Sequence, residues 1–114
     1  MRNLAAITKA LADENRLKLI MALMDGELAF AKLTQLIPLA ASTASKHMSI
    51  LYSAGLVDSR KHGRILYYRL ARESADPRVR KALTWVQEAL MQEPSFKASS
   101  QHFTSIDTEE SPCE

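Results

Sequence analysis

Residues 33–70 read LTQLIPLAASTASKHMSILYSAGLVDSRKHGRILYYRL, and three marks in that stretch decide the fold. Pro38 lacks an amide hydrogen and biases Ile37 out of the helical region, so a helix arriving from Glu27 stops at Ile37. A second helix follows over Ala41–Ala54, with Ala44, Met48, Leu51 and Tyr52 facing inward and Gly55 capping it. After Gly55 the period changes from helical to alternating. Leu56–Arg60 and Ile65–Leu70 read as strands, joined through Lys61-His62-Gly63-Arg64, where Gly63 supplies the turn.

Working outward, Leu4, Ile7, Thr8 and Leu11 recur at helical spacing and predict a helix over residues 3–12. Asp13 is an N-cap for a second helix with the stripe Leu17, Ile20, Met21 and Met24, ended by Gly26 as a left-handed cap. Leu28, Ala31, Leu33 and Leu36 mark a third helix over Glu27–Ile37. Asp76-Pro77 opens a last helix lined by Val79, Leu83, Val86 and Leu90, with Ala82, Trp85 and Ala89 widening its apolar surface. The fold class is therefore mainly α with a small β-hairpin, in the order α-α-α-α-β-β-α. Residues 1–93 form one domain. Residues 94–114 form a polar acidic tail, Ser/Thr-rich beyond Pro94, that is expected to be disordered.

The chain has 114 residues, one domain's worth, with 46% hydrophobic and 25% charged residues. No apolar run approaches the roughly 20 residues of a membrane span. The N-terminus reads as an amphipathic helix interrupted by Lys9 and Asp13, not as a signal peptide. The single cysteine, Cys113, excludes a disulfide within one chain. The net charge of +2 conceals a segregation. Residues 40–72 carry six Lys/Arg against one acid, Asp58, whereas residues 73–114 carry four Lys/Arg against eight acids. A basic middle is the footprint of a polyanion-binding surface. All three glycines, Gly26, Gly55 and Gly63, fall on junctions, so none is left for a phosphate-binding loop.

Two helices broken at Ile37-Pro38-Leu39 have the spacing of a helix-turn-helix, whose second helix enters the DNA major groove. Its early positions, Ala41, Ser42, Thr43, Ser45 and Lys46, are small, hydroxylic or cationic. Such side chains allow close approach and contact bases or phosphates. Arg60, Lys61, His62 and Arg64 give the hairpin the make-up of a basic wing. The expected partner is double-stranded DNA. No paired carboxylates, nucleophile–base set or metal cluster stands at usable spacing, so no catalytic residue is assigned and no enzyme is expected. The alternative is a winged-helix protein-interaction module without DNA binding.

The same residues carry a family resemblance. Leu11-Ala-Asp-Glu-Asn-Arg-Leu-Lys-Leu-Ile20, Gly26-Glu27-Leu28, Leu33–Leu39, Ser42-Thr-Ala-Ser-Lys-His-Met48, Ala54-Gly55-Leu56-Val57 and Gly63–Leu70 resemble the ArsR/SmtB family of bacterial winged-helix repressors, over roughly residues 4–92. The resemblance implies a cytoplasmic homodimer held by its first and last helices, bound to a palindromic operator and released by a signal. Ser42, Thr43, Ser45, Lys46 and His47 fall on the family's recognition-helix motif and Arg64 on its wing. The dimer helices would contribute Leu4, Ile7, Leu11, Val79, Leu83, Val86 and Leu90. The family's metal sensors often carry two cysteines where this chain has Ala29 and Ala31, and Asp and His on a last helix that here has no histidine. Zinc needs three or four N, S or O ligands. His47, His62, His102 and Cys113 make no credible cluster, so no metal and no cofactor is expected. The signal is left open, an unknown small-molecule effector included. Trp85 is read as dimer core, with a ligand pocket as the alternative. Ala40 stands where a capping serine is common, and losing such a cap costs about 1 kcal/mol of local helix stability.

Overall fold

A computed structural model describes residues 2–94. The tail expected beyond residue 93, with His102 and Cys113, lies outside the described residues from 95 onward. The elements are α1 (Arg2–Leu11), α2 (Glu14–Ala22), β1 (Leu28–Ala29), α3 (Phe30–Leu36), α4 (Ala41–Ser53), β2 (Val57–His62), β3 (Ile65–Leu70) and α5 (Pro77–Met91). The expected order holds, with one addition. Leu28 and Ala29 pair with Tyr68 and Tyr67, which makes a three-stranded antiparallel sheet in the order β1-β3-β2. The third helix consequently starts at Phe30 rather than Glu27. A two-residue strand is too short to show an alternating pattern, so the sequence reads it as helix.

The caps follow from side-chain chemistry. Asp13 accepts from the amides of Asn15 and Arg16 at the start of α2, two of the orphan donors every helix exposes. Burial pushes its carboxyl up, but those amides and the Arg16 guanidinium pull harder, and it titrates below the usual aspartate range. Asp76 caps α5 through the amide of Arg78, ahead of Pro77 in the first turn. Ala40 precedes α4 with no side-chain cap. Helix α2 ends at Ala22, before Gly26, so Gly26 serves the following turn instead of capping the helix. Gly55 does cap α4. Its φ is +79°, its amide donates to Tyr52 and that of Leu56 to Leu51, the paired bonds of a Schellman end. That turn throws the chain directly into β2.

One core joins all helices to the sheet. Leu19, Ile20, Leu23, Leu33, Met48, Leu51, Leu56 and Leu83 are fully buried. Tyr68 is buried and meets Phe30 edge-on at 6.3 Å between ring centroids. Tyr52, expected inward, is 55% exposed. It lies about 100° around the helix from Leu51, beyond the edge of the Ala44–Met48–Leu51 stripe.

Candidate nucleic-acid interface

Helix α4 is held from beneath by Ala44, Met48 and Leu51, all buried. That anchorage turns Ala41, Ser42, Thr43, Ser45 and Lys46 to solvent. Ser49 is exposed on the same face, one turn beyond Ser45. It was missed because the sequence pattern stresses the start of a recognition helix. His47 is half-buried at the flank of this face.

The hairpin runs in register from Val57↔Leu70 to His62↔Ile65, so only Gly63 and Arg64 form the loop. Gly63 has φ +63°, a conformation that glycine adopts without strain. Lys61, His62 and Arg64 are exposed at this tip. Arg60 is placed differently. Its Nε and Nη2 donate to the two carboxylate oxygens of Glu27 at 2.7 and 2.6 Å, and its guanidinium stacks on the Tyr67 ring at 4.7 Å. The Arg60 bond holds the Glu27 carboxyl below its usual range. The pairing escaped the sequence because Glu27 meets Arg60 only through the strand order β1-β3-β2.

The basic middle thus divides. Arg69 pairs with Asp58 at 3.6 Å, and Arg72 donates to the Met24 carbonyl and, at 2.8 Å, to Gln87. Among the described residues, Lys46, Lys61 and Arg64 have no acidic partner. These three sit on the outer face of α4 and at the hairpin tip, where the expected polyanion would lie, whereas Arg72 lies beyond β3. Surface pairs such as Asp58–Arg69 add little stability; their effect is to pair Arg60 and Arg69 with carboxylates, while Arg72 keeps its charge but is tied to two neutral oxygens.

The seven expected dimer positions also divide. Ile7, Val79, Leu83, Val86 and Leu90 are buried within the chain's own core, so they offer a partner little area. Leu11 is partly buried, and Leu4 is 45% exposed. The exposed apolar surface of the outer helices is instead Leu4 on α1 with Trp85 (66%) and Met91 (53%) on α5. Leu11, Leu17, Trp85, Val86, Ala89 and Leu90, with Glu93 at one edge, line a hollow of about 210 Å³ between α1, α2 and α5.

Ala29 in β1 and Ala31 in α3 carry no ligand atom, and α5 has no histidine. Among the described residues no three of His, Cys, Asp and Glu come together, and no helix is long and apolar enough to cross a membrane.

Comparison with known proteins gives a consistent result. The model for the family "Bacterial regulatory protein, arsR family" matches residues 13–59, from the α2 cap into β2. A cadmium resistance transcriptional regulatory protein CadC homolog of Staphylococcus aureus is 33% identical over 87 residues, covering 75% of this chain and 72% of that protein. The chain spans about half the length of further cadmium resistance regulators that it matches. Among solved structures, HlyU from Vibrio cholerae superposes with a TM-score of 0.67 at 27% identity, over 80% of this chain and 95% of that one. A homodimeric winged helix-turn-helix DNA-binding domain from Mycobacterium bovis superposes with a TM-score of 0.65 at 32% identity, over 77% and 78%.

Proposed function

Since the chain belongs to the arsR family of bacterial regulatory proteins and is a transcriptional regulator with a winged helix-turn-helix DNA-binding fold, we propose that it acts as a cytoplasmic homodimeric repressor at a palindromic operator. Each copy lays α4 in a major groove. The two grooves are one helical turn, about 34 Å, apart. The single observation that carries this reading is the outer face of α4, where Ser42, Thr43, Ser45 and Lys46 stand exposed and Lys46 has no acidic partner among the described residues.

Ser42, Thr43 and Ser45 contact base edges and phosphates, Lys46 a phosphate or guanine, and Ala41 allows close approach. Lys61, His62 and Arg64 reach the adjacent backbone from the wing. Arg60 joins them only by exchanging Glu27 for a phosphate oxygen. The second copy docks on Leu4, Trp85 and Met91 and fills the hollow edged by Leu11, Val86 and Leu90. Burial of an exposed tryptophan is a large apolar gain. The homodimeric domain from Mycobacterium bovis supports self-association.

Regulation in this chain does not use the family's thiolate pair or the Asp–His site of the last helix, because alanines and a histidine-free α5 occupy those positions. No enzymatic step is assigned. The test is retention of double-stranded DNA by the full chain at low salt, with sedimentation of the complex. The expected result is a complex of two chains per duplex. A chain that retains no duplex while a partner protein co-purifies would instead be an interaction module.

A further inference from the structure

Arg16 lies near the start of α2, away from the exposed face of α4, and its side chain is only 13% exposed. Its Nε donates to the Ala10 carbonyl at 2.8 Å and its Nη2 to the Lys9 carbonyl at 3.1 Å. Carbonyls in the last turn of a helix lack intrahelical donors, and a cation there is favoured by the helix dipole. The Asp13 carboxylate, which caps α2, stands 4.0 Å from Nη1. The same Nη1 reaches Nδ1 of His47 on α4 at 3.1 Å. One guanidinium therefore ties together the end of α1, the start of α2 and the middle of α4.

A guanidinium donates and never accepts, so Nδ1 of His47 must be the acceptor in this contact. A neutral imidazole that accepts at Nδ1 carries its proton on Nε2. Among the described residues Nε2 has no hydrogen-bond partner. His47 sits between the buried Met48 and the exposed Lys46, on the flank of the outer face. At a groove, side chains on the flank of a helix meet the sugar–phosphate backbone rather than base edges. We propose that Arg16 is a positioning residue for DNA binding: it fixes the tautomer and orientation of His47 so that Nε2–H is presented to a phosphate oxygen. The inference rests on α4 being the helix that enters the groove. It separates two contacts that adjoin in sequence. Lys46 neutralises a phosphate and releases a counterion, whereas neutral His47 adds a hydrogen bond without one.

The test combines ring nitrogen NMR of the isotope-labelled full chain with DNA binding measured across a salt series. Two duplexes serve as probes: one enriched from a random pool by the wild-type protein, and a scrambled version of it. In the DNA-free protein His47 is expected as the Nε2–H tautomer with Nδ1 accepting. Arg16→Lys, which keeps a donor, preserves that signature and the affinity. Arg16→Met loses the signature and weakens binding to both duplexes by the same factor, about threefold to tenfold, with the salt slope unchanged. A wild-type ring protonated on Nδ1 overturns the proposal without any variant. So does an Arg16→Met chain that binds as wild type, or one whose salt slope falls by about one unit per copy, since Arg16 would then touch phosphate itself. If Arg16→Met does not fold, His47→Phe replaces it: the same uniform loss is expected, and unchanged affinity overturns the proposal. A wild-type chain that shows the Nε2–H signature but retains neither duplex overturns the reading of α4 as the DNA helix, and the phosphate contact with it.

Discussion

Helices α4 and α5 make a controlled comparison. Both press an aliphatic stripe into one core: Ala44, Met48 and Leu51 from α4, and Val79, Leu83, Val86 and Leu90 from α5. Their opposite faces differ over part of their length, although Ile50 and Tyr52 are also exposed on α4, and Arg80, Lys81, Thr84 and Glu88 on α5. On α4 that face exposes Ser42, Ser45, Lys46 and Ser49. On α5 it exposes Trp85 and Met91. Inner faces of this kind are alike because they answer to the same core. On the proposed reading the outer faces serve different partners, a hydrated polyanion for α4 and an apolar surface for α5. A partner is thus named by what a helix leaves exposed, not by what it buries.

The comparison can be broken at each face. Leu83→Ala opens a cavity in the shared core and should cost about 2–5 kcal/mol in denaturant unfolding. A loss below about 1 kcal/mol would mean that α5 is not part of that core. Trp85→Glu should leave the inner face intact but weaken self-association at least about tenfold, since a buried charge would oppose an apolar contact. Sedimentation at several concentrations reads this directly. An unchanged dimer would move the partner surface away from α5.

Smaller effects sharpen the picture. Asp13→Ala removes the α2 cap and should cost about 1 kcal/mol. Because the Asp13 carboxyl is depressed in the folded chain, its contribution is complete above the unfolded pKa and is lost as pH falls through the folded one. Wild-type stability should therefore decline below about pH 4, and the decline should be shallower in Asp13→Ala. A melting screen with Zn(II), Ni(II) and As(III) should give no strong stabilisation. A large rise with loss of DNA binding would reinstate a metal site. Glu27→Gln should release Arg60 and steepen the salt dependence of DNA binding slightly; an unchanged slope would leave Arg60 outside the interface.

Much of this was legible in the chain because single residues carried it. Pro38, Gly55 and Gly63 fixed the breaks, Asp13 and Asp76 the caps, and the change from period 3.6 to period 2 the hairpin. The misreadings have one physical cause. Leu28–Ala29 is a strand only because Tyr67 and Tyr68 lie beside it, and Arg60 is held only because that pairing brings Glu27 near. Likewise, Arg16 reaches His47 across 31 positions of sequence. Apolar periodicity shows which side of a helix is buried but not against what. Ile7, Val79, Leu83, Val86 and Leu90, expected at a second copy, are buried in the chain's own core. The outward cation Lys46 was legible because solvent exposure needs no partner.

The central claim is that the cations without acidic partners on α4 and at the hairpin tip hold DNA. The most direct test is the salt dependence of duplex binding for wild type against Lys46→Ala/Arg64→Ala. Removing two phosphate contacts from each copy of a dimer should make the log–log slope shallower by roughly 3–4 units and weaken binding at low salt. A double variant with the wild-type slope and affinity would contradict the assignment of both the helix face and the wing.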